Sequence, residues 1–422
     1  MAIDAPVKVG DPTLRFSARA HSIAEIESEL ARMWAGQDLR LHTDDEDDLG
    51  RHVAARTSVM NLVVVARRPE LAEHCAATIQ LLTGRHPSRT IVIQSADPDG
   101  PSWHDARVEA HCVLPRPDAP ETCAEMIHVT AGGEAGRHLG AIATPLIVHD
   151  LPVTVWWPGE PPLSSPAAQD LFTGADRLIV DGSTWSGDGL ARLRDMAALV
   201  EPMRLAISDF ALIRQSRWRE AIASIFDDPD FLPYLRSIRR VAVTYATHDE
   251  TGAPGSTNLV KPIYHVGWLA SRLGLHVVKP LAQAAGSARS ASAGAARNAR
   301  AGATKAVVGR GIVATLSDGR AEVAIVVRPV ASAMPAGTTL RVELLAERRG
   351  SELRADVTAE AETVHVRVWQ DGVEALDRHF RAPRRSEVDL LAEAIESGRR
   401  DPVAVGALRS AAALVGPGWG AS

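Results

Sequence analysis

Between residues 56 and 200, short β-branched runs alternate with segments of helical spacing, and this alternation limits the fold more than any other feature. Asn61–Ala66 (NLVVVA) has the continuous apolar character of a strand buried on both faces. Pro69 opens a helix through about Leu82, stopped by Gly84, and Thr90–Gln94 (TIVIQ) is the next strand. Residues 106–114 and 123–129 read as two further strands, and a helix follows Gly136. Strand 153–157, a short helix at 166–172, strand 177–181 and a helix at 189–200 complete the series. Strands separated by helices build βαβ units, so residues 50–205 are expected to form an α/β domain with a largely parallel, helix-covered sheet. Ahead of it, residues 1–49 read as an extended arm and an amphipathic helix at 22–35. Ser22 and Glu25 have capping-box spacing there, and Ile23, Ile26, Leu30 and Met33 recur at helical intervals.

The pattern changes after residue 205. Asp209–Phe226 has helical spacing, and Asp228-Pro229 reads as an N-cap followed by Pro at the first helical position. A strand at 239–246 and a helix at about 257–273 come next. Residues 281–303 are low-complexity Ala, Gly, Ser and Arg, read as a flexible insert. Ser317-Asp318-Gly319, Arg349-Gly350 and Asp371-Gly372 then separate alternating runs, as hairpin turns do. They imply an antiparallel meander of about six strands. Ser386 with Asp389 resembles a capping box, and Asp401-Pro402 opens a last helix. Residues 206–422 are thus expected to form an α+β domain, an antiparallel sheet with helices on one face.

Composition narrows the function. The chain has 422 residues and a net charge of −6, so it has no global basic field for nucleic acid or an anionic membrane. No run approaches the 18 or so apolar residues of a transmembrane helix, and MAIDAPVKVGDP has neither the basic nor the apolar region of a signal peptide. Cys75, Cys112 and Cys123 lack the spacing of metal or redox motifs and are read as reduced, buried thiols of a cytoplasmic protein, a Cys112–Cys123 pair being the lesser alternative. The acidic run Thr43–Asp48 reads as a solvated loop. Trp is unusually frequent, nine against six Phe and three Tyr.

A search for catalytic motifs returns almost nothing. Gly132, Gly133 and Gly136 follow a strand and open a helix, where backbone N–H groups can hold an anion. The run is not GxGxxG, and Glu134 sits in it, so a strand-to-helix turn is the plainer reading. There is no GxxxxGK[ST] and no GxSxG, and the histidines lack metal spacing. No catalytic residue, metal or cofactor is expected. The densest unusual segment is Thr144–Pro162 (TPLIVHDLPVTVWWPGEPP). Trp156 and Trp157 must point to opposite faces of their strand. Either both are buried beneath covering layers or one faces a partner. Asp150, between prolines at the strand entrance, suits a fixed polar contact.

These residues carry a resemblance. Pro145-Leu146, Asp150-Leu151-Pro152-Val153 and Trp156-Trp157-Pro158-Gly159 resemble the signature run of the glucose-6-phosphate dehydrogenase assembly protein family, OpcA. Asp176–Asp181, Ser208-Asp209-Phe210, Arg214, Trp218-Arg219-Glu220, Phe226-Asp227 and Gly267–Gly274 resemble its later motifs, and Asn61-Leu62-Val63 its first strand. Leu212 and Arg217 stand where the family has Trp and Pro. The resemblance implies a non-catalytic subunit or effector that binds glucose-6-phosphate dehydrogenase and promotes its active oligomer, in the oxidative pentose phosphate pathway. The residues expected to meet that partner are Asp150, Trp156, Trp157, Arg214, Trp218 and Arg219, with Arg214 and Trp218 four apart on one helix face. The alternative is a sugar-phosphate or nucleotide-binding α/β protein, or an enzyme, using the Gly132–Gly136 turn.

Overall fold

The computed structural model describes residues 10–35, 55–96, 99–114, 116, 121–200, 202–247, 257–284, 311–397 and 401–419. The chain forms two compact units. One comprises Met1–Val180, Glu201–Ser208 and Ser386–Arg399; the other comprises Asp181–Val200, Asp209–Arg385 and Arg400–Ser422.

The first unit is built on a mostly parallel sheet. Its strands are β1 (Thr13–Ala20), β2 (Ala55–Arg56), β3 (Asn61–Ala66), β4 (Arg89–Ser95), β5 (Trp103–Val113), β6 (Thr122–Gly132), β7 (Val153–Trp157), β8 (Arg177–Val180) and β9 (Ala206–Asp209). They lie in the order β1-β5-β6-β4-β3-β7-β8-β9, with β2 added beside β6. From β6 through β8 every pairing is parallel. Every residue of β3, β7 and β8 is buried, as a sheet covered on both faces requires. Helix Pro69–Gln80 crosses from β3 to β4. Helix Ile23–Ala35 begins at the expected Ser22, whose Oγ accepts from Glu25 N–H, but the Glu25 carboxylate reaches back to His21 N–H, one residue before the cap, so the spacing gives half of a capping box.

The second unit carries β10 (Ile238–Thr247), β11 (His276–Gln283), β12 (Ile312–Ser317), β13 (Glu322–Ala331), β14 (Thr339–Arg348), β15 (Ser351–Ala359), β16 (Thr363–Gln370) and β17 (Val373–Arg381). Their order is β11-β12-β13-β10-β14-β15-β16-β17. All pairings are antiparallel except β10 with β13. Val342, Leu344, Val357, Val364, Val366 and Val368 bury one face. Helices Ser216–Ile225 and Val260–Leu273 pack on the sheet, and Pro402–Val415 packs on Val260–Leu273. The fold is therefore α/β in the N-terminal half and α+β in the C-terminal half, as the alternation and the turn signals imply.

Four expectations are corrected. The meander is interrupted, because β10 inserts between β13 and β14. The helical segment 209–226 is two helices, Phe210–Ile213 and Ser216–Ile225, broken at Arg214-Gln215. Asp228-Pro229 forms a turn rather than a helix start, and a 3₁₀ segment follows only at Leu232–Ser237. Cys112 and Cys123 are not free thiols: the β5–β6 register sets them opposite each other, Cα atoms 4.0 Å apart, and they form a disulfide. Cys75 alone is a free, buried thiol, its pKa pushed up by burial and by Glu387. The low-complexity stretch begins inside β11, and 285–303, like the acidic run 43–48, lies outside the described residues.

Candidate functional site

In the first unit, loops gather beyond the C-terminal ends of β3, β4, β6 and β7. The connection from β3 runs outward to β4 on one side, while β7 pairs on the other, so the order reverses at β3. Crevices at such reversals are the usual ligand positions of open α/β sheets. A cavity of ≈ 640 Å³ lies there, lined by Arg67, Ser95, Gly136, Arg137, His138, Trp157 and Asp170 among others. The fold thus brings Gly136 and Trp157, two unrelated sequence candidates, to one place.

The glycine turn itself is internally bonded. Ala135 N–H donates to Ser102 Oγ at 3.0 Å, and Gly136 N–H donates to the Gly133 carbonyl at 3.1 Å. Arg137 and His138 N–H groups donate to the Glu134 and Ala135 carbonyls. Gly133 has φ +58°, and a Cβ there would meet the Gly100 and Pro101 carbonyl oxygens at 2.6 Å. The glycines thus let two backbones approach closely. Gly132 ends β6, where a Cβ would strike the Trp103 ring. Arg137 pairs with Asp99 at 2.8 Å, and His138 lies 2.8 Å from Glu134.

The segment before β7 is held by a buried amide. Asn61 accepts the Val148 N–H at 2.7 Å and donates to the Val148 and Leu151 carbonyls at 3.0 and 3.2 Å. That clamp sets the turn carrying Asp150, which is exposed and has φ +69°. Beyond it, Trp156 and Trp157 are both buried. Trp157 packs edge-on against Phe172, ring centroids 5.9 Å apart. Of the two readings open for this pair, the covered strand is the one the fold adopts.

The second unit holds a polar cluster at Gly182–Thr184, Asp209–Arg214 and Asn258–His265. Asp209 is buried; its Oδ1 accepts from Gly182 and Ala211 N–H, and its Oδ2 accepts from the Tyr264 hydroxyl at 2.9 Å. Burial and the neighbouring Asp181 carboxylate push its pKa up to about 7, more than these three hydrogen bonds offset. Arg214 donates to Asp181 and, at 3.1 Å, to Ser183 Oγ, with a third of its side chain exposed. Lys261 is lowered by burial and by Arg214, against the pull of Asp181. Trp218 packs against His265, ring centroids 5.3 Å apart. Among the described residues neither His265 nitrogen has a hydrogen-bond partner, and burial, Arg219 and Lys261 hold its pKa down near 3, so the ring is neutral. Arg219 donates to the Leu212 carbonyl at 2.5 Å. Arg214 and Trp218 do not share a helix, because the chain breaks between them.

Residues 79–198 match a family described as the glucose-6-phosphate dehydrogenase subunit N-terminal domain, and residues 205–407 match its C-terminal domain. The chain belongs to the OpcA family. A curated protein of Synechocystis sp., provisionally named OxPP cycle protein OpcA, is 29% identical over 169 residues. That match spans 40% of this chain and 33% of the cyanobacterial protein. Among solved structures, an NAD binding oxidoreductase from Klebsiella pneumoniae aligns over 85% of this chain and 96% of its own, at 12% identity and TM-score 0.43. An aldose-aldose oxidoreductase from Caulobacter crescentus aligns over 84% and 95%, at 12% identity and TM-score 0.39. Likenesses this distant carry no functional argument.

Asp150, Trp156 and Trp157 fall in one unit of this OpcA-family chain, and Arg214, Trp218 and Arg219 in the other. Sequence reasoning missed Asp181, Lys261, Tyr264 and His265, which complete the second cluster. No motif spacing joins positions 181, 209 and 264; only the fold does.

Proposed function

We propose that this chain is a non-catalytic accessory protein of glucose-6-phosphate dehydrogenase, docking on the enzyme in the cytoplasm and favouring its active oligomer. The observation that carries this reading is the pair of matches, over 79–198 and 205–407, to a family described as a subunit of that enzyme. Among the described residues no helix is long and apolar enough to cross a membrane. Exposed Asp150 and part-exposed Arg214 are the direct contacts in this proposal; Trp156, Trp157, Trp218 and Arg219 hold the surfaces that present them. The test mixes the purified protein with the dehydrogenase and follows co-elution, oligomer mass and activity. Co-elution with a shift in mass or KM is expected. No complex, and no change in mass, KM or kcat, overturns it.

A second reading rests on the ≈ 640 Å³ cavity at the strand reversal, which could take a sugar phosphate or nucleotide. Calorimetry of the isolated protein with glucose 6-phosphate, 6-phosphogluconolactone and NADP separates the two. Binding lost in Arg67→Ala, which changes the cavity lining and leaves the glycine turn intact, favours this one.

A further inference from the structure

The outer face of the β16–β17 hairpin carries donors used by nothing above. His365 and His379 lie directly across from each other, their rings stacked with centroids 4.0 Å apart. Val364 and Val366, flanking His365, are buried, so alternation puts both rings on the opposite face of the sheet. Asp377 Oδ1 lies 2.9 Å from His365 Nε2. That contact keeps the ring proton on Nε2 and leaves Nδ1 as a lone pair.

Both Nδ1 atoms face Glu360. His365 Nδ1 is 3.5 Å from Oε1, and His379 Nδ1 is 3.3 Å from Oε2. The Thr363 hydroxyl donates to Glu360 Oε2 at 2.7 Å and fixes the carboxylate against the two rings. A carboxylate and two imidazole nitrogens thus lie within 4.8 Å of one another.

The separations decide between a hydrogen-bonded cluster and a chelate. A charge-assisted N–H···O bond is about 2.7–2.9 Å long, and both contacts exceed that. Donors placed tetrahedrally at about 2.0–2.1 Å from a zinc ion stand roughly 3.3–3.4 Å apart; the two imidazole-to-carboxylate separations, 3.3 and 3.5 Å, lie close to that, and the half-exposed His379 ring has only to turn out of the stack to aim its lone pair at the same ion. We propose that Glu360, His365 and His379 form a binding site for a divalent transition-metal ion of the zinc class, with a fourth position open to solvent. Mixed imidazole and carboxylate donors suit zinc and cobalt rather than calcium or magnesium. Asp377 and Thr363 orient the ligands, as second partners of metal-bound His and carboxylate do. The bound ion joins the β15–β16 turn to β17, the edge strand of the sheet.

The test titrates the metal-stripped, full-length protein with Co²⁺, follows its ligand-field absorption, then displaces it with Zn²⁺. One saturable site is expected. Removing an orienting partner weakens metal sites about 10–100-fold, so losing a donor in His379→Asn or Glu360→Gln should weaken binding about tenfold or more. Both side chains are about half exposed and neither packs in the core, so both variants should fold. His276→Asn, an exposed ring on β11, should leave the isotherm unchanged. Absence of saturable binding in the native protein, or superimposable isotherms for it and both hairpin variants, overturns the site.

Discussion

Asp209 is a carboxyl placed where its charge is poorly tolerated. Burial and Asp181 raise its pKa from 3.8 to about 7. Between those values the folded chain holds a proton that the unfolded chain has released. The stabilisation is complete below about pH 4 and is lost as pH rises through about 7. Asp209→Asn mimics the protonated form: its oxygen can still accept from Gly182 and Ala211, and its amide can donate to the Tyr264 oxygen. Calorimetric melting curves should therefore fall less steeply for Asp209→Asn than for the native protein between pH 4 and 7, and the variant should melt higher at pH 8. Parallel curves would remove Asp209 as the titrating group. Asp150 makes a different prediction. Its φ of +69° suits Asn as well as Asp, so Asp150→Asn should leave the melting temperature unchanged. A hot-spot contact costs more than about 1 kcal/mol, so affinity for the dehydrogenase should drop about tenfold. Unaltered affinity by titration calorimetry would take Asp150 off the docking surface.

Helices Val260–Leu273 and Pro402–Val415 meet at a glycine. A Cβ on Gly267 would lie 2.6 Å from the Ala407 carbonyl oxygen and 2.8 Å from Ala411. Alanine in a helix gains about 1 kcal/mol over glycine, but forcing a methyl into a packed contact costs about 1–3 kcal/mol. Gly267→Ala should lower the melting temperature by a few degrees, at about 2–4 °C per kcal/mol for a unit this size; a rise would mean the helices separate freely. Elements were legible in the sequence where their signal is local. β3 and β7 show as apolar runs, and Ser386 with Asp389 shows as a capping box. Arg349-Gly350 and Asp371-Gly372 show as turns whose two residues all have positive φ. What stayed hidden depends on distant partners. β10 lies between β13 and β14 because of pairings with residues 84 to 108 positions away in sequence. Nothing in the spacing of Cys112 and Cys123 announced that β5 and β6 would align them. The Trp156–Trp157 segment was legible as unusual, but its burial depends on layers packed over both faces of the sheet.

At the scale of the whole molecule, an accessory protein can activate an enzyme only by binding its active state more tightly than its inactive one. The coupling is then reciprocal for binding free energies. If this chain raises the dehydrogenase's affinity for glucose 6-phosphate by some factor, glucose 6-phosphate must tighten the protein–enzyme complex by the same factor. Couplings of this kind are typically about 1–3 kcal/mol, or roughly 5–150-fold. Two titrations check it: sugar phosphate into the enzyme with and without the protein, and protein into the enzyme with and without saturating sugar phosphate. Equal factors above one are expected, with a parallel shift of oligomer mass toward the active form. A factor of one in both titrations confines any activation to the catalytic step. Unequal factors point to a second sugar-phosphate site outside the enzyme's own, and the strand-reversal crevice lined by Arg67 and Arg137 is where this chain could supply it.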